Sequence, residues 1–155
     1  MKVEYINPFL NASISVFSTM LGVSLTRGEP YLKNGAQPNH EVSGIIGLSG
    51  KARGMVVLSM SREVALGAAG KMLGETCKEI NADVADAVGE LTNIVAGAAK
   101  AKLENLCMSI SLPTVVTGKA HCIDFPKNTM PICIPFDCEW GSVTVEVGIV
   151  DDRPS

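Results

Sequence analysis

Glu90 and Asn93 are two side chains that could act together in a reaction. They stand three positions apart in the stretch DAVGELTNIVAGAAK, residues 86–100. On a helix, side chains at this spacing are surface neighbours with Cβ atoms about 5–6 Å apart, so one object could touch both. A carboxylate can bind a lysine, while a carboxamide can hold a water through its oxygen and orient another group through its NH₂. The pair suits hydrolysis of an acyl phosphate, because that reaction mainly needs a water held in line and shielded charge.

The surrounding sequence predicts a long helix that would position this pair. Asn81 can cap it, Asp83 adds charge to its first turn, and the helical pattern runs from about Ala82 to Leu103. One apolar stripe of this helix should face the core, and it consists of Val84, Val88, Leu91, Val95 and the stem of Lys102, flanked by Ala98 and Ala99. The opposite sector contains Asp86, Glu90, Asn93 and Gly97.

Gly97 is the least expected residue of that sector. A glycine inside a helix costs about 1 kcal/mol relative to alanine. Its presence on an outward face is typical of a helix that another molecule or segment approaches closely, whether a partner, a second subunit or a crossing helix of the same domain. From the residues alone these alternatives stay open, and so does an ordinary solvated helix face.

The motif resembles the signature Asp-x-x-x-Glu-x-x-Asn-x-x-x-Gly of the CheX and CheC chemotaxis phosphatases. The resemblance extends over most of the chain and includes the segments INPFLNASISVF, VSGIIGLSG, GMVVLSM and GSVTVEVGI. Because only one acid and amide pair is present, the sequence is more similar to CheX than to CheC. The resemblance implies a CheC-like fold with duplicated helix and β-hairpin units.

The resemblance also implies a function, namely removal of phosphate from the aspartyl phosphate of a CheY-like response regulator. Asn93 would orient the attacking water, and Glu90 would pair with the active-site lysine of the regulator. Asp86 would support the motif, and Gly97 would leave room for loops of the partner. No cofactor of its own is expected, since Mg²⁺ would belong to the regulator. A homodimer is expected as well.

Three other interpretations compete with this one. The first is a non-catalytic module that binds a response regulator or a flagellar-switch-type partner through the same helix. The second is a divalent-metal hydrolase that uses Asp83, Asp86 and Glu90, although the chain lacks a Glu-x-x-His arrangement. The third is a zinc site formed by Cys122, Cys133, Cys138 and His121, whose spacing matches no common structural pattern. Otherwise the five cysteines are expected to be buried, reduced thiols.

The order of predicted elements indicates an α+β fold with a mostly antiparallel sheet packed with helices. A first helix is predicted from Ile6 to about Leu25, and a second from a cap at Ser61 through Leu73. The segments VSGIIGLSG and GMVVLSM should form one hairpin, and MPICIPF with SVTVEVGIV should form a closing hairpin around Cys138 to Gly141. Between the long helix and that hairpin, SISLPTVVTG is predicted to form a hairpin-like pair of strands.

An internal repeat is also predicted, covering about residues 6–74 and 81–150 of a single domain, 1–155. Residues 11–22 align with residues 86–97, and the turn glycine Gly54 aligns with Gly141. In this alignment Ser15 and Ser18 occupy the positions of Glu90 and Asn93, so only one copy has the reactive pair.

Composition excludes two classes of partner. The formal charge of −3 and the absence of a basic run interleaved with aromatics exclude an electrostatic footprint for nucleic acid. No stretch is long and apolar enough to span a membrane, and the first residues do not resemble a secretion signal. A soluble, cytoplasmic protein is therefore expected, and its 46% hydrophobic residues are enough for a core.

Overall fold

The computed structural model describes residues 3–33 and 38–151. Within these ranges the helices are α1 (Val3–Val16), α2 (Arg62–Leu73) and α3 (Ala82–Ala101). The strands are β1 (Thr26–Arg27), β2 (Tyr31–Leu32), β3 (Val42–Ser49), β4 (Ala52–Met60), β5 (Ser109–Ile110), β6 (Thr114–Thr117), β7 (Ile132–Cys138) and β8 (Gly141–Asp151). The predicted α+β class and the two hairpins, β3 with β4 and β7 with β8, are confirmed. The hairpin-like pair predicted for SISLPTVVTG is wrong, because β5 and β6 both pair with β3 instead.

All eight strands join one antiparallel sheet in the order β1-β7-β8-β4-β3-β5, with β2 also on β7 and β6 also on β3. The short strands after α1 pair with the second hairpin, whereas the short strands after α3 pair with the first. The two halves of the chain therefore exchange their edge strands around the central pair of β4 and β8. This arrangement accords with the predicted repeat of 6–74 and 81–150, which stays a prediction, as does the single domain.

The helices cover one face of this sheet because alternate strand residues are apolar and point to the same side. In β8, for example, Val143, Val145 and Val147 are fully buried and belong to the hydrophobic cluster that also contains residues of all three helices. Among the described residues, no helix is both long and apolar enough to cross a membrane.

The predicted caps of α2 and α3 are confirmed. The Ser61 side chain accepts a hydrogen bond from the Val64 N–H at 3.4 Å, and Asn81 Oδ1 accepts one from the Val84 N–H at 3.0 Å. Helix α2 ends at Leu73 and is followed by Gly74, whose φ of 71° lies in the left-handed region that favours glycine. These ends form as predicted because each depends on residues within one turn.

The bounds of α1 differ from the prediction of Ile6 to about Leu25. The helix begins at Val3, so Pro8 lies inside it rather than at its start. It then passes into a π-helical turn over Phe17–Leu21 and stops before Gly22. Phe17 and Leu21 are both buried in the core, and the wider turn allows the chain to bury them before it leaves the helix.

The opposite face of the sheet is covered by the loops before β3 and before β7. Glu146 of β8, only 3% exposed, accepts hydrogen bonds at 2.9 Å from both Lys33 Nζ and Asn39 Nδ2. Lys33 Nζ also donates to the Ile123 carbonyl at 2.5 Å. This buried ion pair therefore fastens both loops to the sheet, on the side away from the helices.

The prediction that all the cysteines are buried is wrong. Cys133 is buried, Cys77 and Cys138 are half-buried, and Cys107 and Cys122 are exposed because they lie in turns and loops outside the sheet. Burial, followed by the negative charge of Glu146, raises the pKa of Cys133 to about 12. In the part of the chain that the structure describes, no three His, Cys, Asp or Glu side chains form a metal-binding group, so neither metal-site interpretation has a ligand set.

Candidate functional site

Helix α3 is held against the sheet by a close contact that leaves its polar sector facing outward. The hydroxyl of the buried Thr92 donates to the Val88 carbonyl at 2.7 Å, and the side chain rests on Gly44 of β3. A Cβ at Gly44 would lie only 1.9 Å from Thr92 Oγ1, so a larger residue there would push the helix away. This contact determines the rotation of α3, because Thr92 faces the sheet and its neighbour Asn93 cannot.

The burial of α3 follows the predicted helical pattern with two differences. The stripe of Val84, Val88, Leu91 and Val95 is fully buried. Ala98 and Lys102 are exposed rather than part of the core face, whereas Ala96 is buried. The apolar face is thus turned slightly further towards β3 than the sequence pattern indicates.

The four motif residues lie together on the outward side of α3. Asp86 and Glu90 are exposed, while Asn93 and Gly97 are half-buried. Within residues 3–33 and 38–151, no hydrogen bond or ion pair engages the side chains of Asp86, Glu90 or Asn93. Their polar groups are therefore available to another molecule.

Asn93 stands between two glycines on its own ridge of the helix, since residues four apart lie above one another. On one side is Gly89, where a Cβ would meet Val115 Cγ2 at 3.3 Å and Pro113 Cγ at 3.5 Å. On the other side is Gly97, where a Cβ would meet nothing within 4 Å. One glycine thus lets the chain around β6 pack closely, and the other leaves open space beside the carboxamide.

Sequence reasoning missed the role of Gly89. The spacing could have shown it, because Gly89 lies four residues before Asn93 and Gly97 four residues after it, so both helical neighbours of the amide are glycines.

A recess of about 350 Å³ adjoins the acidic end of the motif. Its lining comes from the end of α2 and the first half of α3, and consists of Met72, Leu73, Asp83, Asp86, Ala87 and Glu90. Leu73 is 44% exposed there. No sequence pattern connects the end of α2 with the motif, because their proximity depends on how two helices pack.

The helix predicted as the counterpart of α3 presents different chemistry. Ser15 and Ser18 of the α1 segment are exposed, as the alignment of the two halves predicts, but Ser18 lies in the π-helical turn. A π-helical turn changes the rotation between successive residues, so Ser15 and Ser18 are not spaced as Glu90 and Asn93 are on regular α-helix.

Glu90 lines the recess and Asn93 does not, so the acid and amide pair as a whole lies on the outer face of α3 rather than inside a cavity. Sites for small molecules are usually concave and bury most of the ligand. A polar pair on an exposed helix face can instead enter the active site of another protein and supply a water-orienting amide and a cation-binding carboxylate there. The geometry therefore favours a protein substrate.

Comparison with known proteins gives consistent similarities. The sequence model of the family described as chemotaxis phosphatase CheX matches residues 42–137. A CheY-P phosphatase CheX from Thermotoga maritima is 28% identical over 122 residues, which are 77% of this chain and 79% of that protein.

Solved structures show the same similarity in three dimensions. A CheC-like superfamily protein from Shewanella sp. PV-4 is 35% identical, with a TM-score of 0.89 over 97% of this chain and 99% of that one. CheX from Borrelia burgdorferi, in a crystal structure of its complex with CheY, BeF₃ and Mg²⁺, is 29% identical, with a TM-score of 0.79 over 96% of this chain and 99% of that one.

Proposed function

Because this chain belongs to the chemotaxis phosphatase CheX family, we propose that it hydrolyses the aspartyl phosphate of a CheY-like response regulator in chemotaxis or two-component signalling. The observation that carries the proposal is the outward sector of α3, where an acid and an amide at the motif spacing have no partner within the described residues. The complex of the Borrelia relative with CheY supports a response regulator as the partner.

Asn93 orients the attacking water in this proposal. The helix backbone holds the residue in place, and the half-buried carboxamide can accept a hydrogen bond from the water through its oxygen. The water oxygen attacks phosphorus and the bond between phosphorus and the aspartate oxygen breaks. Inorganic phosphate leaves with both protons of the water, and the regulator regains an unmodified aspartate carboxylate. Because the leaving group is a carboxylate, the step needs position and charge shielding more than acid or base help.

Glu90 binds the active-site lysine of the regulator. The carboxylate is exposed and one helical turn from Asn93, so a single regulator can contact both side chains. The attraction between the carboxylate and the lysine strengthens as the interface excludes water. Glu90 therefore contributes to binding, and it helps to hold the regulator in position beside the Asn93 amide.

Asp86 and Gly97 support this arrangement from either end of the motif. Asp86 adds negative charge one turn before Glu90, on the side of the recess. Gly97 leaves space for loops of the regulator, since nothing in the described chain occupies the volume that a Cβ would face.

The chain needs no cofactor of its own in this scheme, and Mg²⁺ belongs to the regulator. The Borrelia complex, which contains both CheY and Mg²⁺, supports this assignment. A cytoplasmic location and a homodimer are further parts of the proposal, and the family likeness supports both.

The test uses purified phosphorylated regulators from the same genome. Wild type should speed the loss of phosphate from at least one of them, whereas Asn93→Ala should abolish the acceleration and retain binding. Glu90→Ala should weaken both. A protein that binds a regulator equally well with and without phosphate, and never speeds phosphate loss, would be a non-catalytic binding module instead.

A further inference from the structure

The recess between α2 and α3 has no part in the proposed hydrolysis, although two motif residues line it. Asp86 and Glu90 form one wall together with Asp83, and the end of α2 forms the other. A partner that contacts Glu90 therefore lies beside this recess. The recess is continuous with the surface on which the regulator is proposed to bind.

Leu73 is the unexpected residue of the recess. A single exposed leucine needs no explanation, but this one, 44% exposed, lines the same recess as three carboxylates. It is the last residue of α2, and the helix stop holds it in place through the hydrogen bond from the Gly74 N–H to the Gly70 carbonyl at 2.9 Å. The recess is thus apolar where α2 lines it and mainly acidic where α3 lines it.

This combination matches one kind of side chain. The residues that line the recess include three acids and no lysine or arginine. A long basic side chain can lay its methylene groups on an apolar surface and keep its cation beside carboxylates. A metal ion fits less well, because the carboxylates of the recess do not form a metal-binding group within the described residues.

We propose that the recess receives a lysine or arginine of the response regulator, separate from the active-site lysine that Glu90 binds. Its stem packs on Leu73 and Met72, and its cation faces Asp83 and Asp86. This inference rests on the proposed function and names a contact that selects the regulator. Leu73 and Asp83 then determine affinity, while Asn93 determines the rate of hydrolysis.

The experiment separates binding from hydrolysis. Each CheY-type regulator of the same genome is prepared in two forms, one phosphorylated and one with beryllium fluoride and Mg²⁺ as a stable mimic of the aspartyl phosphate. The dissociation constant is measured with the stable form, and kcat and KM with the phosphorylated form. Leu73→Ala should raise Kd and KM about five- to tenfold and leave kcat within about twofold.

Asp83→Asn should slow association and reduce the salt dependence of the association rate, because the loss of the carboxylate charge removes long-range attraction to the basic side chain. Leu32→Ala is the matched control, since Leu32 is also an exposed leucine, at 54%, but lies on β2 and does not line the recess. Its Kd should equal that of wild type. Thermal unfolding of each variant verifies that the fold is intact.

The outcomes distinguish this inference from the proposed function. If Leu73→Ala binds as wild type does while Asn93→Ala loses hydrolysis, the recess is not a contact and the phosphatase proposal stands. The recess proposal also fails if Leu73→Ala changes kcat without KM, or if Leu32→Ala weakens binding equally. If wild type neither binds nor dephosphorylates any regulator, both proposals fail.

Discussion

Replacing Gly97 by alanine should stabilise the protein and impair its contact with the regulator. The residue lies inside α3, and a Cβ added there would meet nothing within 4 Å, so the substitution brings no clash. Alanine is favoured over glycine in a helix by about 1 kcal/mol, which predicts an increase of about that size in the free energy of unfolding. For a chain of this length, about 1 kcal/mol corresponds to a rise in Tm of about 2–4 °C.

The same methyl group should act in the opposite direction on function. It fills part of the open space beside Asn93, where loops of the regulator are proposed to lie. We expect Gly97→Ala to raise KM several-fold and Gly97→Leu to raise it much further, because a longer side chain keeps the partner from the amide. The assays are calorimetric or circular-dichroism melting of the free protein, and phosphate loss from a phosphorylated regulator.

Gly89→Ala is the control on the same helix. Its added Cβ would lie 3.3 Å from Val115 Cγ2, so the gain in helix propensity should be offset by tight packing and Tm should rise less. A lower Tm for Gly97→Ala would refute the inference that the site is open. Full activity in Gly97→Leu would refute the role of Gly97 in partner approach, whatever the effect on Tm.

Other substitutions test the scaffold around the motif. Gly44→Ala should lower the free energy of unfolding by about 2–3 kcal/mol in denaturant titrations, since its Cβ would collide with Thr92, and Thr92→Ala should recover part of the loss. Burial lowers the pKa of His40, so the unfolded chain accepts a proton more readily than the folded one. The free energy of unfolding should therefore be highest, as far as His40 is concerned, above pH about 6.5 and should fall as the pH decreases below it. Unfolding curves of His40→Gln should show a smaller decrease. The double change Ser15→Glu with Ser18→Asn should add no second phosphatase site, because Ser18 lies in a π-helical turn, and a doubled kcat in this variant would contradict that reason.

Features that depend on neighbours within one or two helical turns are predicted well from the sequence. The caps Ser61 and Asn81 and the stop at Gly74 are confirmed, since each needs only a hydrogen bond to a residue three or four positions away. The outward position of Glu90 follows equally from the helical period. The roles assigned to the motif residues remain proposals, because they depend on a partner.

The ends of α1 show where local patterns fail. The predicted start at Ile6 is later than the true start at Val3, and the apolar period continues past the true end. Burial of Phe17 and Leu21 decides the end instead, through contacts with elements far away in the chain.

The sequence alone therefore determines the helix that carries the motif, the side on which the motif lies and the family to which the chain is similar, because these depend on spacing along the chain. Only the tertiary structure decides that Gly44 receives Thr92, that the two halves exchange edge strands and that Leu73 lies beside the acids of α3. The physical reason is that each of these contacts joins residues remote in sequence, whose proximity depends on the packing of the whole sheet and its helices.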